Sequence, residues 1–279
     1  MRIYLSFHVI AALGLASCTA MGPTTQVPQT STTRVSSHKL DLQPFEYAKG
    51  SLDKEQDSPK TARTGKILLV LAGDSTVTYD SGYAAGLRSH LDKQLQVVNL
   101  SRGGRTTATF RSDGRWQQML DLKPDYVLIQ FGHNDEGVMT LEQYVQNLTR
   151  FIDEARAAGV TPILATPIAR RYFQADRKIH SDLIAHAEAV KKLAADKQVR
   201  LVDFHQRAIE LYEKLGPEAT AQWGLQKANP DLASATNPAT MPAMVYDKTH
   251  FSEEASRTMG RVVADELKRA VPALAEYID

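Results

Sequence analysis

Three short polar stretches carry a nucleophile, a base and hydrogen-bond donors. Gly73-Asp74-Ser75 follows the apolar run Ile67-Leu68-Leu69-Val70-Leu71. A serine in a tight turn between a buried strand and a helix exposes its hydroxyl, and its backbone N–H lies where helix donors are unpaired and the dipole favours negative charge. That suits a nucleophile whose product is an oxyanion, although simple helix capping by Asp74, Ser75 or Thr76 explains the same residues. Asp247-Lys248-Thr249-His250 stands late in the chain, before the last helical segment. His250 is the candidate base toward Ser75, and Asp247 the group that holds the imidazole tautomer and stabilises the imidazolium. Acyl transfer also needs donors aimed at the developing carbonyl oxyanion. The N–H of Ser75, the N–H of Gly104 and the side-chain amide of Asn134 are the candidates. A plain turn at Gly103-Gly104 and a local Asx hydrogen bond at Asn134 are the competing readings.

Positioning such residues needs a scaffold that brings distant loops together. Four further apolar runs follow 67–71: 97–100, 126–131, 162–165 and 199–202. Between them Tyr83, Ala84, Leu87, Leu91 and Leu95 keep helical spacing, as do Leu141, Tyr144, Val145, Leu148, Phe151, Ile152 and Ala155. Trp116, Met119 and Leu120 mark another helix, and further helices are predicted over about 180–196, 205–215 and 254–270. Strands alternating with helices imply a central parallel sheet covered on both faces. Ligands of such sheets sit outside the carboxyl ends of the strands. Asp74-Ser75, Gly103-Gly104-Arg105 and His133-Asn134-Asp135 each fall just after a strand, so three loops converge on one edge.

The 279 residues, net charge of +1 and hydrophobic fraction of 43% are ordinary for one globular domain with an extension. Near-neutral charge offers no nucleic-acid footprint. A single cysteine excludes an internal disulfide, and the histidines lack ligand spacing, so no metal site is expected. That cysteine closes an N-terminal apolar stretch at Leu15-Ala16-Ser17-Cys18, which resembles a bacterial lipobox. The expected organisation is a lipoprotein signal peptide over 1–18, lipidation at Cys18, a Thr/Ser/Pro-rich flexible tether over 19–64 and a catalytic domain over 65–279. With no aspartate after Cys18, the expected location is the bacterial outer membrane, anchored through lipid, facing the periplasm or the cell surface.

Taken together, Gly73-Asp74-Ser75-Thr76, Asn99-Leu100-Ser101-Arg102-Gly103-Gly104-Arg105-Thr106, Gly132-His133-Asn134-Asp135 and Asp247-Lys248-Thr249-His250 resemble the four ordered blocks of the SGNH (GDSL-like) hydrolases. Gly-Asp-Ser-Thr, Gly-Gly-Arg-Thr, Asp113-Gly114-Arg115-Trp116 and Asp247-x-Thr249-His250-Phe251 are similar, more narrowly, to the rhamnogalacturonan acetylesterase branch. The resemblance spans about 66–270. It implies a three-layer α/β/α sandwich of flavodoxin-like kind and a triad of Ser75, His250 and Asp247. It also implies an oxyanion hole of Ser75, Gly104 and Asn134, no cofactor, and an acetylated oligo- or polysaccharide as substrate, pectic rhamnogalacturonan or xylan. Two departures stand out: Ser101 replaces a small apolar residue, and a segment rich in Ala, Asn, Pro and Thr occupies about 221–245.

Other polar residues have two readings each. Arg105 and Arg111 would bind a uronic-acid carboxylate, or pair with acidic neighbours such as Asp113 and Asp135. Trp223 would stack on a sugar ring or anchor its own loop. The Arg170-Arg171-Tyr172-Phe173 loop would contact sugar or lie solvated. His133 reads as a structural hydrogen-bonding group. Rival functions on the same scaffold are a lysophospholipase or thioesterase, an O-acetyl transferase of the cell envelope, and a surface glycan-binding protein without turnover. Oligomeric state is not legible.

Overall fold

In the computed structural model the described residues are 66–229 and 244–279, with Asp231 and Pro242. The expected signal peptide, Cys18 and the tether lie outside them. Five parallel strands form the central sheet: β1 (Ile67–Gly73), β2 (Leu95–Asn99), β3 (Tyr126–Gln130), β4 (Thr161–Ala165) and β5 (Arg200–Val202), in the order β2-β1-β3-β4-β5. The helices are α1 (Ala84–Arg88), α2 (Thr107–Ser112), α3 (Arg115–Leu122), α4 (Leu141–Ala157), α5 (Ile184–Asp196), α6 (Phe204–Ala219) and α7 (Glu253–Ala270). The expected α/β/α sandwich is therefore present.

Alternate residues of each strand feed two separate cores. Leu69 and Leu71 of β1, with Leu128 of β3, face a cluster containing Leu87, Phe204, Leu211, Met259 and Leu267. Val70, Ala72, Val127 and Ile129 face the opposite cluster with Phe110, Trp116, Tyr144 and Phe151. A strand buried on both faces needs apolar residues at every position, which is why these strands read as unbroken apolar runs. The sheet reverses its order at β1, with β2 on one side and β3 on the other, and crevices at such switch points take ligands.

Several elements differ from the sequence reading. The helical spacing over 83–95 yields only the short α1, because Leu91 bridges to Ile278 and Leu95 opens β2. α5 begins at Ile184, since 180–183 belong to the preceding loop. α6 runs on to Ala219 across a kink at Gly216, whose φ is 84°. The 221–245 segment contributes an unforeseen antiparallel hairpin, β6 (Gln226–Ala228) with β7 (Met244–Tyr246). Its strands have three residues each and no buried face, so no apolar alternation announces them.

One packing contact sets the active edge. α1 and α7 meet through Gly86 and Gly260: a Cβ on Gly86 would lie 1.8 Å from Ser256 O, and one on Gly260 would lie 2.2 Å from Gly86 C. Only glycine allows that approach. Ser256 Oγ donates to Gly82 O at 2.8 Å and accepts from Gly86 N at 3.3 Å. The helix that follows His250 is thereby seated on the helix that follows Ser75.

Candidate active site

Ser75 opens a single 3₁₀ turn, Ser75–Val77, directly after β1. Asp74 caps it, accepting from Thr76 N at 2.9 Å and Thr76 Oγ1 at 2.8 Å, while Gln130 Nε2 donates to the same hydroxyl at 2.9 Å. Across the sheet edge His250 Nε2 lies 2.8 Å from Ser75 Oγ, and His250 Nδ1 lies 3.1 Å from Asp247 Oδ2. The other Asp247 oxygen accepts from the N–H groups of Thr249 (2.8 Å) and His250 (2.7 Å). Burial alone would push the Asp247 carboxyl up. Those two N–H groups and the His250 ring outweigh it, so the group sits below the ordinary carboxylate range and stays anionic beside the imidazole. A hydroxyl, an imidazole and a carboxylate in this order can deliver an activated serine oxygen.

The loops after β2 and β3 complete the edge. Arg102 N donates to Gly73 O at 3.1 Å, and a Cβ on Gly103 would lie 3.6 Å from Ser75 Cβ, so this loop runs beside Ser75. Gly104 adopts φ +75°, with open space where a side chain would be. Asn134 Nδ2 donates one hydrogen to Arg105 O at 3.1 Å, and its amide carries a second. Asp135 holds the two loops together by accepting from Thr107 N (2.8 Å) and Thr107 Oγ1 (2.7 Å). Burial pushes the Asp135 carboxyl up, more than its Thr107 bonds pull it down, and the nearby Asp74 adds to the rise. Ser101, the first departure from the usual pattern, donates its hydroxyl to Asn99 Oδ1, while Asn99 Nδ2 donates to Val77 O at 2.8 Å. The β2 loop is thus stitched to the serine turn.

Comparison with known proteins agrees with this geometry. The model of the GDSL-like Lipase/Acylhydrolase family matches residues 71–257. The chain belongs to that family. Two relatives from Bacillus subtilis (strain 168) match across nearly their whole length. The probable rhamnogalacturonan acetylesterase YesY is 31% identical over 75% of this chain and 96% of its own. The rhamnogalacturonan acetylesterase RhgT is 30% identical over 76% and 94%. Among solved structures, the YxiM protein of B. subtilis superposes with a TM-score of 0.62 at 24% identity, over 73% of this chain and 56% of that one. A variant of the acetyl-xylooligosaccharide esterase Axe2 of Geobacillus stearothermophilus gives 0.52 at 19% identity, over 74% and 96%. These two structural likenesses speak for the fold. The family and the two sequence relatives make this protein a carboxylic ester hydrolase.

Within this GDSL-like hydrolase the three residues weighed as substrate contacts take the structural one of their two readings. Arg111 is engaged by protein groups: Nη2 lies 2.9 Å from Glu154 Oε2, an oxygen shared with Trp116 Nε1 at 2.6 Å, and the group sits over the Phe151 ring. Arg105 is engaged by Asp113 and by the carbonyl of Gly103, as its structural reading anticipated. Trp223 is 6% exposed and packs edge-on to Tyr212 in the core, so its ring anchors the loop and presents no face to sugar. Among the described residues no cluster of His, Cys, Asp and Glu could hold a metal ion.

Two supports brace the site: Arg171, which the sequence reading left as a sugar contact or a solvated loop residue, and His133, which it took for a structural hydrogen-bonding group. Arg171, 3% exposed, donates from Nη2 to Asp247 O at 3.0 Å and His250 O at 2.8 Å, and its backbone N–H donates to Lys248 O at 2.9 Å. Its guanidinium lies over Phe251 and Tyr212. It therefore grips both ends of the Asp247–His250 loop. His133, buried, brings Nδ1 to 3.4 Å from Asp74 Oδ2. Burial would raise the Asp74 carboxyl, but the His133 ring and the Thr76 bonds hold it below the usual range. This contact joins the residue before the serine to the residue before Asn134.

Proposed function

We propose that this protein is a carbohydrate acetylesterase acting through an acyl-enzyme on Ser75, with pectic rhamnogalacturonan as its polymer. The observation that carries the chemistry is the unbroken Ser75–His250–Asp247 hydrogen-bond chain on the carboxyl edge of the sheet. The names and near-complete coverage of YesY and RhgT support the substrate class. His250 Nε2 takes the Ser75 proton as Oγ attacks the acetyl carbonyl carbon. The N–H groups of Ser75 and Gly104 and the free hydrogen of Asn134 receive the oxyanion. Collapse breaks the bond to the sugar oxygen, which leaves with the proton from His250. Water, deprotonated by the same imidazole, then attacks the acetyl-serine, and acetate leaves as Ser75 recovers its proton. The protein acts at the cell envelope, held by acylation of Cys18; a Cys18→Ala chain that fractionates like wild type would remove that part of the proposal.

The test is acetate release by the full chain and by Ser75→Ala from acetylated rhamnogalacturonan, acetylated xylan and p-nitrophenyl esters of increasing acyl length. Release that needs Ser75 and favours the pectic polymer supports the whole proposal. Preference for xylan or for long acyl chains keeps the serine chemistry and overturns the substrate. Absence of turnover by folded protein on every ester overturns the chemistry.

A further inference from the structure

A groove of about 260 Å³ opens beside the active edge, between α1 and the start of α7. Its floor is made of small residues, Gly82, Ala85, Gly86 and Ser256, brought close by the glycine contact of the two helices. Its walls are Tyr79, Asp80, Glu253 and Arg257. The groove adjoins both catalytic segments: Phe251, which follows His250, donates its N–H to Ser81 O at 3.0 Å, and Ser81 Oγ donates to Ser75 O at 3.1 Å. Nothing in the catalytic arrangement uses these walls.

We propose that this groove is a subsite for a neutral sugar ring adjoining the esterified one, with the Tyr79 ring as its stacking face. This rests on the carbohydrate reading above. Three observations lead to it. Tyr79 is 48% exposed, and among the described residues it shares that exposure with one other aromatic, Tyr172. An amphipathic ring standing at a groove wall four residues after the serine matches the apolar face of a sugar. The volume is below the roughly 300–1,000 Å³ of pockets for drug-sized ligands, which sets the occupant at about one monosaccharide. The lining charges are Asp80 and Glu253 against Arg257, and Arg257 is already paired with Glu253. One carboxylate is left over, a surrounding that accepts hydroxyl donors and repels a uronate. Arg88, near the Tyr79 hydroxyl, is the other charge on this side and is not part of the lining.

The experiment compares kcat/KM of the full-length enzyme on acetylated rhamnogalacturonan with that on p-nitrophenyl acetate, which has no adjoining sugar. For Tyr79→Ala the polymer-to-small-ester ratio is expected to fall about tenfold, equivalent to roughly 1.4 kcal/mol. Tyr79→Phe, which keeps the ring, is expected to hold the wild-type ratio. Because the ratio is internal to each preparation, loss of folded protein does not imitate the effect. An unchanged ratio in Tyr79→Ala, or an equal fall in Tyr79→Phe, overturns the stacking subsite while the carbohydrate reading stands. A wild type that cleaves the small ester and releases no acetate from the glycan overturns both.

Discussion

Arg171 is the sharpest test of how this site is held. Its guanidinium makes two hydrogen bonds to carbonyls of the Asp247–His250 loop and lies over two aromatic rings. Hydrogen bonds from a charged donor contribute roughly 1.5–3 kcal/mol each, and a desolvated cation–π contact about 1–2 kcal/mol. Removing the whole cation also removes its own desolvation cost, so the net loss of stability in Arg171→Met is about 2–4 kcal/mol. The catalytic loss follows from geometry. The loop carbonyls that Arg171 grips belong to the two residues that align the imidazole on Ser75, and a displacement near 1 Å at such a group costs on the order of 10²-fold in rate. The expected result on p-nitrophenyl acetate is a kcat lower by about 10², with KM little changed, in protein whose circular dichroism remains native. Arg171→Lys recovers part of the rate, since an ammonium keeps the charge without the planar fork. A folded Arg171→Met enzyme with kcat within about threefold of wild type would refute the idea that this residue positions the loop.

Other outcomes can be checked as directly. Ser75→Ala lowers kcat on any ester by on the order of 10⁵–10⁶, measured with active-site-titrated protein. Asn134→Ala lowers kcat by about 10²–10³, and an unchanged kcat would remove its amide from the oxyanion site. Asp74 and Asp247 both have folded pKa values below the unfolded value of about 3.9; their stabilisation is fully present above it and is lost as pH falls through the folded values. Urea unfolding at pH 7 and pH 3 should therefore show a smaller pH-dependent loss in Asp74→Asn than in wild type. Gly86→Ala, which drives a methyl into Ser256 O, should cost about 1–3 kcal/mol or more in the same assay.

The sheet was legible because strands buried on both faces must be apolar throughout, and the polar loops that follow them stood out by contrast. Ser75, Gly104 and Asn134 were named from those loops, Asp247 and His250 from the polar stretch before the last helix, and the structure gathers them at one edge. The support from Arg171 was not legible. Arg171 acts on main-chain carbonyls, which have no letter in a sequence, and an arginine in a polar loop reads as solvated until its burial is known. The same ambiguity hid the fate of Trp223 and Arg111: whether an aromatic or a cation faces solvent or core depends on its neighbours in space. Helix α1 was overextended because Leu91 and Leu95 continue its spacing by coincidence while serving a bridge and a strand.

The Gly86–Gly260 contact also has a consequence for when the enzyme becomes active. Ser75 and His250 are separated by 175 positions, and α7 reaches its seat on α1 only through residues near the end of the domain. Asp92 N donates to a carbonyl as late in the chain as Tyr277 O, and Asp279 N donates to His90 O. During synthesis at about 5–20 residues per second, β1 and its serine turn emerge roughly 9–35 s before the segment that carries His250. On the proposed mechanism the growing chain therefore carries its nucleophile unarmed, and hydrolytic competence arrives as a late, long-range closure of the fold.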